Sequence, residues 1–291
     1  MKSREFSFVG IAKRKGGYRY AIFGDFGLKN AHKENGTVGD NFMQMIEPIA
    51  SSLPYMTTPG NHEIEYNFTH YANRFTMPLD TANQCFDHGF AHFVMFSTEV
   101  YFAHTRISPE FMIRQYKWLV EDLRKANENR KNVPWIVTFG HRPMYCSSEV
   151  AAYGVNDCHL VDSVIRKGII GVKSLGLEDL FYKNGVDLEI WGHVHAYSRS
   201  WPVYDYKIYN GSKSPYVDPR APITTGSAGC NELVENFTDP KNFDAYLSSH
   251  YGIGVMKIAN KTHLHWQQFA AVKNLVDDDI WIVKNKHGPY N

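Results

Sequence analysis

Side chains that could hold metal ions form four short groups along the chain. They are Asp25, the pair Asn61 and His62, the single His141, and finally His193 with His195 two residues later. Oxygen and imidazole donors without a thiolate suit Fe, Mn and Zn ions. Two histidines two residues apart can serve two ions that lie ~3.5–4 Å from each other. The residue types therefore predict a site for two metal ions.

Each group also has a simpler structural interpretation. A lone histidine such as His141 is more often an ordinary polar residue, and Gly24-Asp25 is common in turns. Gly60-Asn61-His62-Glu63 is more specific, because that string has no common structural reason directly after a strand. The metal site is therefore predicted from the four groups in combination, each of them following a predicted strand.

The elements that would position these groups alternate between strands and helices. Short apolar runs predict strands at residues 19–23, 54–58, 90–97, 135–139 and 186–191. Helical spacing predicts helices at residues 41–50, from Pro109 with Ser108 as its N-cap, and at 177–183 with an end at Asn184-Gly185. The alternation indicates an α/β fold with a mostly parallel sheet covered by helices.

The carboxyl ends of parallel strands meet at one edge of a sheet, where ligands bind. We therefore expect Asp25, Asn61, His141, His193 and His195 to converge in one cleft. From about residue 221 short strands at 222–225, 252–258, 263–269 and 279–283 predict a smaller, β-rich terminal layer.

Composition excludes several classes of protein. The 291 residues carry 31 Lys and Arg against 30 Asp and Glu, so there is no basic surface for nucleic acid. No stretch approaches the ~20 apolar residues that span a bilayer. A soluble globular protein without nucleic-acid or membrane partners is expected, and the oligomeric state stays open.

The motifs resemble those of a known family. Gly24-Asp25-Phe26-Gly27, Gly60-Asn61-His62-Glu63, Gly140-His141 and Gly192-His193-Val194-His195 are similar to the metallophosphoesterase motifs of purple acid phosphatases, in particular the animal high-molecular-weight type. The resemblance implies a calcineurin-like sheet sandwich covered by helices over residues 18–199 and a β-rich C-terminal region over residues 220–284. It also implies hydrolysis of small phosphate monoesters at acidic pH.

The resemblance assigns a role to each group. Asp25 and His195 would hold a ferric ion, and Asn61, His141 and His193 would hold Zn(II), Mn(II) or Fe(II). His62 would be the catalytic residue, as an acid beside the leaving group or as a donor that orients the phosphate.

One departure from the family affects activity. The family carries a second Asp that bridges both metals, and a Tyr three residues after it that gives the iron its purple charge-transfer colour. Asp40 has no Tyr at that spacing and is predicted to be the N-cap of the following helix. A strand and a helix are therefore expected to be missing near residues 29–36, and impaired activity follows. The chain is also expected to begin after the N-terminal domain and signal peptide of such proteins.

Other features point to a secretory glycoprotein, which the resemblance implies is extracellular or lysosomal, and a cytosolic protein with unused sequons is the alternative. Sequons occur at Asn35, Asn67, Asn210, Asn236 and Asn260, and no signal peptide is visible. Cys146 and Cys158 have a spacing that suits a disulfide, whereas Cys85 and Cys230 are expected to stay free.

Three functions remain open from the sequence. The first is an acid phosphatase with a binuclear centre. The second is a related phosphodiesterase or nucleotidase, which would hydrolyse diesters faster than monoesters. The third is a non-catalytic glycoprotein that keeps the fold, which would hold fewer than two metal ions per chain.

Overall fold

The computed structural model describes residues 16–25, 36–77, 83–102, 108–148, 151–152, 155–156, 164–169, 175–209, 216–217, 221–229, 234–237, 240–271 and 275–289. Its strands are β1 (Tyr18–Ile22), β2 (Asn83–His88), β3 (Ala91–Phe96), β4 (Trp135–Phe139), β5 (Ala151–Ala152), β6 (Val155–Asn156), β7 (Leu188–Trp191), β8 (Tyr197–Ser200), β9 (Val203–Tyr204), β10 (Lys207–Ile208), β11 (Tyr216–Val217), β12 (Ala221–Thr225), β13 (Asp244–Ser248), β14 (Gly252–Ile258), β15 (His263–Ala270) and β16 (Leu275–Val283). Its α-helices are α1 (Thr37–Ala50), α2 (Thr69–Arg74), α3 (Pro109–Glu128) and α4 (Leu177–Asn184).

Within these residues a seven-stranded sheet has the order β13-β8-β12-β7-β4-β3-β2. Neighbours among β12, β7, β4 and β3 run parallel, whereas β2, β8 and β13 pair antiparallel. The predicted mostly parallel sheet is therefore parallel only in its centre. β12 also belongs to this sheet, although its sequence was expected in the terminal layer.

A second sheet has the order β1-β14-β15-β16-β11 in the described residues. It contains the predicted C-terminal strands, and β1 joins it by antiparallel pairing with β14, Tyr18 lying opposite Ile258. The expectation that β1 belongs to the mostly parallel sheet is wrong. Its residues alternate between more and less exposed, which is typical of a strand with one solvent-facing side.

The two sheets pack face to face, and helices cover the outer face of the larger one. One core cluster joins Phe93, Val137 and Ile190 of the larger sheet to Met256 and Trp266 of the smaller sheet. A second cluster lies between the larger sheet and the helices, and includes Val94, Ile136, Trp191, Leu119 of α3 and Phe181 of α4. The α/β sandwich covered by helices, with its β-rich C-terminal part, is confirmed.

Helix ends follow local sequence in two of three cases. Ser108 caps α3 by accepting a hydrogen bond from the Glu110 N–H (3.4 Å), and Pro109 occupies the first turn. α4 ends at Gly185, which has a φ of 63°. The prediction that Asp40 is an N-cap is wrong, because α1 begins earlier, at Thr37, after Gly36.

The predicted strand at residues 54–58 is also absent, since residues 54–60 form no ladder. Pro54 and Pro59 remove backbone donors at both ends of this segment. Side chains take the place of ladder partners: the Gln84 Nε2 donates to the Thr57 carbonyl (3.0 Å), and the Thr58 hydroxyl donates to the Phe96 carbonyl (2.8 Å).

In the described part of the chain, no helix combines the length and apolar composition needed to cross a bilayer.

Candidate metal centre

His141 and His193 follow the carboxyl ends of two neighbouring parallel strands, β4 and β7. Two backbone hydrogen bonds join the loops at these ends: the Gly140 N–H donates to the Ile190 carbonyl (3.0 Å), and the Gly192 N–H donates to the His141 carbonyl (2.9 Å). The loops therefore leave the sheet side by side. The His141 Nε2 and the His193 Nδ1 lie 3.2 Å apart.

Asp25 reaches the same place from the second sheet. The Gly24 N–H donates to the Thr225 carbonyl at the end of β12 (2.8 Å), which ties the end of β1 to the central sheet. Asp25 has a φ of 54°, in the left-handed region that few non-glycine residues adopt. Its Oδ2 accepts a hydrogen bond from the His193 N–H (2.7 Å). The left-handed backbone at Asp25 is strained, and this conformation directs the Asp25 carboxylate into the cleft.

Two glycines leave room for this carboxylate. A Cβ on Gly192 would lie 2.8 Å from the Asp25 Oδ2, and a Cβ on Gly226 would lie 2.7 Å from the same atom. These distances are shorter than carbon–oxygen packing allows. The backbone therefore approaches Asp25 from two sides, and a Cβ on Gly226 would also clash with the Val194 carbonyl oxygen at 2.2 Å, so only glycine fits there.

Asn61 reaches the cleft from a single turn of 3-10 helix, Asn61–Glu63. Its Oδ1 lies 2.7 Å from the His141 Nε2. Because this turn follows unpaired backbone rather than a strand, the expectation that each group follows a strand of a parallel sheet is wrong for Asn61 and for Asp25. His62, in the same turn, is partly buried and its charge would disfavour protonation of His141.

The five predicted ligands lie together in two groups. Asn61, His141 and His193 form one, with the 2.7 and 3.2 Å separations given above. Asp25 and His195 form the other, with 3.7 Å between the Asp25 Oδ1 and the His195 Nε2. Asp25 connects the groups, since its Oδ1 is 3.9 Å from the His141 Nδ1. Their roles as ligands stay predictions.

Burial and neighbouring charges together shift the pKa values of His141 and Asp25. The side chains of Asp25, His141 and His195 are 8%, 11% and 12% exposed. Burial lowers the pKa of His141 to about 3, so the imidazole is neutral and keeps a lone pair. For Asp25 burial raises the pKa, but His141, His195 and His193 outweigh it and lower the pKa to about 2.

This donor set fits metal ions. The neutral His141 imidazole, the Asn61 amide oxygen and the ionised Asp25 carboxylate lie close together, which brings the lone pairs of three kinds of donor into one cleft. Ligand atoms bound at ~2.0–2.2 Å in tetrahedral geometry are ~3.3–3.6 Å apart, close to the separations observed here. The residues present therefore suit the binding of cations by both groups.

Several residues around the cleft were not assigned a role from sequence. The Glu63 carboxylate accepts a hydrogen bond from the Gly60 N–H (2.8 Å), and burial raises the pKa of Glu63 to about 7. Arg142 lies 3.3 Å from the His193 Nε2 and donates to both oxygens of the buried Glu99 (3.0 and 3.2 Å). The sequence signal for Glu63 and Arg142 was their position within or beside the motifs. The pairing of Arg142 with Glu99 could not be predicted, because it depends on tertiary structure.

Asp40 lies elsewhere. Its side chain is 67% exposed, and its Oδ1 accepts a hydrogen bond from the Arg74 Nη2 (2.7 Å). Asp40 therefore does not supply a carboxylate between the two groups of ligands. Residues 26–35, where the missing segment was predicted, lie outside the described residues.

Comparison with known proteins identifies the family. The model of the calcineurin-like phosphoesterases matches residues 9–197, about two thirds of the chain. This chain belongs to the calcineurin-like phosphoesterase family. The model of the iron/zinc purple acid phosphatase-like protein C matches residues 221–279. The resemblance to purple acid phosphatases is thereby confirmed, and that family implies a binuclear metal centre.

Similar proteins include acid phosphatases of animals and plants. Acid phosphatase type 7 of Mus musculus is 49% identical over 268 residues, with 90% of this chain and 60% of that protein covered. Purple acid phosphatase 5 of Arabidopsis thaliana is 29% identical, with 85% and 56% covered. The chain thus spans less than two thirds of the length of these relatives.

A solved structure shares the fold of this phosphoesterase. The purple acid phosphatase isolated from yellow lupin seeds superposes with a TM-score of 0.76 at 20% identity, with 97% of this chain and 57% of the lupin chain covered.

The remaining predicted sites are only partly within the described residues. Asn67, Asn236 and Asn260 are exposed, whereas Asn35 and Asn210 lie outside the described residues. Cys85 is a free thiol, as expected. Cys146 is described but Cys158 and Cys230 are not, so the Cys146–Cys158 disulfide stays a prediction.

Proposed function

We propose that this phosphoesterase is, by descent, an acid phosphatase that hydrolyses small phosphate monoesters with a binuclear metal centre. The observation that carries the proposal is the convergence of the Asn61, His141 and His193 side chains beside Asp25 and His195. Relatives named as acid phosphatases support the reaction class.

The proposed metals are Fe(III) at Asp25 and His195, and Zn(II), Mn(II) or Fe(II) at Asn61, His141 and His193. Two such ions supply charge that stabilises the phosphoryl oxygens and lowers the pKa of a bound water. The low pKa of His141 keeps this donor free of a competing proton in acid, which supports function at acidic pH.

His62 is the proposed proton donor to the leaving oxygen, or the donor that orients the phosphate. It is adjacent to Asn61 in the same 3-10 turn, and its charge would lower the pKa of His141, which supports a position near the cleft. A histidine side chain can act as a general acid and donate a proton to the leaving oxygen. Arg142, held by Glu99, adds a fixed positive charge at the same edge.

For the 291-residue chain as it stands, we propose weak binding of two metals, no purple colour and little or no turnover. Two cations ~3.5–4 Å apart repel, and a bridging carboxylate offsets that repulsion. Asp40 is exposed and pairs with Arg74, which supports the view that it does not supply this bridging carboxylate.

The experiment compares this chain with a version that receives the missing strand–helix segment from the mouse relative between Lys29 and Glu34. Metal analysis and assays with a monoester and a diester are done on both at acidic pH. We expect two metals per chain and monoester hydrolysis only after restoration. Two tightly held metals and rapid turnover in the unrestored chain would refute the proposed impairment.

Two substitutions in the restored version separate the roles. His62→Ala should lower kcat ~10²–10⁴-fold with the metal content unchanged, because only a proton donor is lost. Asn61→Ala should instead lower the metal content. His263→Ala, at an exposed position outside the cleft, is the control and should change neither.

Other results would favour the alternatives. Faster hydrolysis of the diester would indicate a phosphodiesterase or nucleotidase. A restored chain that still holds fewer than two metals would indicate a binding protein that keeps the fold.

We also propose that the protein is secreted and glycosylated, either extracellular or lysosomal. The exposed side chains of Asn67, Asn236 and Asn260 support glycosylation at these sequons. Glycosidase treatment of protein from a secretory host should lower its mass. An unchanged mass, with the protein retained in the cytosol, would contradict this.

A further inference from the structure

A second group of metal-binding side chains lies at the other end of the central sheet. Cys85 is on β2, His92 is on β3 and Asp122 is on α3, and these three are grouped in space. The antiparallel register sets Asp87 opposite His92 and Cys85 opposite Val94. Because side chains two residues apart share a face, Cys85, Asp87 and His92 all project on the side where Val94 packs against the helices.

The distances within this group are short. The donor atoms of Cys85, His92 and Asp122 all lie within 4.8 Å of one another. The His92 Nε2 is 3.0 Å from the Asp122 Oδ2, and its Nδ1 is 2.7 Å from the Asp87 Oδ1. The side chains of His92 and Asp122 are 12% and 8% exposed, and Cys85 is a half-buried free thiol.

We propose that Cys85, His92 and Asp122 form a binding site for one zinc ion. A thiolate, an imidazole nitrogen and a carboxylate oxygen are the three ligand types that zinc takes in proteins, and three protein ligands leave a fourth position open. Ligands bound at ~2.0–2.3 Å are ~3.3–3.7 Å apart in tetrahedral geometry, so small side-chain rotations suffice.

Asp87 completes the arrangement. A histidine that binds a metal through one ring nitrogen commonly gives its other N–H to a carboxylate, which fixes the tautomer and the orientation of the ring. With the Nδ1 of His92 directed at Asp87, the Nε2 is the atom left for the metal. The ion would also link β2, the last strand in the order of the seven-stranded sheet, to α3.

The site is separate from the phosphoesterase cleft. His92 is near the amino end of β3, whereas the cleft lies at the carboxyl ends of the parallel strands. Four residues of strand separate His92 from Phe96, a distance of ~13 Å. None of the five predicted ligands of the cleft is a cysteine, so a thiolate–metal signal does not come from them.

The same contacts also allow a metal-free ion pair, in which a protonated His92 lies between Asp87 and Asp122. Asp122 serves both arrangements, but only the metal site requires the sulfur of Cys85. Cys85 is therefore the residue that distinguishes them.

The experiment is a Co²⁺ and Zn²⁺ titration of the reduced 291-residue chain in a His141→Ala/His193→Ala background, which removes ligands of the cleft. We expect one equivalent of Co²⁺ to give an intense near-ultraviolet thiolate band, and Zn²⁺ to displace it. Circular dichroism checks that each variant is folded.

Three further variants test the ligands in that background. Cys85→Ser should abolish the band and weaken Zn²⁺ binding at least ~10-fold, and Asp87→Asn should weaken it ~10–100-fold with the band retained. Cys230→Ser is the thiol control and should change nothing. Folded parent protein without the band, or Cys85→Ser with the band or with unchanged Zn²⁺ affinity, would overturn the proposal.

Discussion

Asp187→Asn should destabilise the protein strongly, because Asp187 is the anion of a buried charge cluster. Its Oδ2 accepts hydrogen bonds from the Arg130 Nη1 and from the Ile136 N–H, both at 2.8 Å. Its Oδ1 accepts a hydrogen bond from Lys284, which follows β16. The side chains of Asp187 and Lys284 are fully buried, and that of Arg130 is 6% exposed.

The substitution keeps the shape and removes the charge. Asparagine offers one oxygen acceptor, so its NH₂ group faces one of the two cations in place of an acceptor. Loss of one partner from a buried ion pair costs about 3–5 kcal/mol, since the remaining charge has no water to solvate it. Coulomb's law gives a similar value, ~4 kcal/mol for unit charges 4 Å apart at an effective dielectric constant of 20. Arg130 keeps the carbonyls of Pro134 and Asn184, so we expect the loss within this range.

Urea unfolding followed by far-ultraviolet circular dichroism measures the change in the free energy of unfolding. A loss of 3–5 kcal/mol also lowers Tm by ~5–8 °C in a chain of this size. Glu121→Gln is the matched control, because its partner Arg124 is on the same exposed helix face and such pairs contribute little. If the free energy of unfolding of the Asp187→Asn protein lay within ~1 kcal/mol of the parent's, the view that this cluster is desolvated and depends on its carboxylate would be refuted.

Two further predictions concern the cleft and the cysteines. Gly60→Ala should lower the metal content of the restored chain, because the new Cβ would lie 2.7 Å from the His141 Cε1 and push this ring away from Asn61. Gly16→Ala, where no atom lies within 4 Å of the new Cβ, is the control, and equal metal content in both would contradict this account. Peptide mapping without reduction should recover Cys146 linked to Cys158, a closure of about a dozen residues that stabilises the fold by ~3 kcal/mol. Recovery of both as free thiols from secreted protein would contradict the pairing.

Short-range sequence determines much of this fold. β4 has the predicted bounds, α3 begins after Ser108 and α4 ends at Gly185. Apolar spacing, a capping hydroxyl and a glycine with positive φ act within a few residues, so their effect can be inferred from the chain alone. The motif residues at the ends of β4 and β7 could be predicted for the same reason.

The pairing of distant segments could not be predicted in this way. β1 has strand composition, but only its packing against β14 decides which sheet it joins. The segment before Asn61 is extended, but side chains of Gln84 and Thr58 take the hydrogen bonds of a strand ladder. Asp40 resembles an N-cap in sequence, but α1 starts at Thr37 and Arg74 holds the carboxylate at the surface.

The sequence by itself determined which residues could bind metals at the cleft, because their types and order are visible in the motifs. Only the tertiary structure decided that Asp25 comes from the second sheet and Asn61 from a 3-10 turn. It alone also brings Cys85, His92 and Asp122 together. These three are on separate elements, and their meeting depends on strand register and on helix packing, neither of which a local pattern specifies.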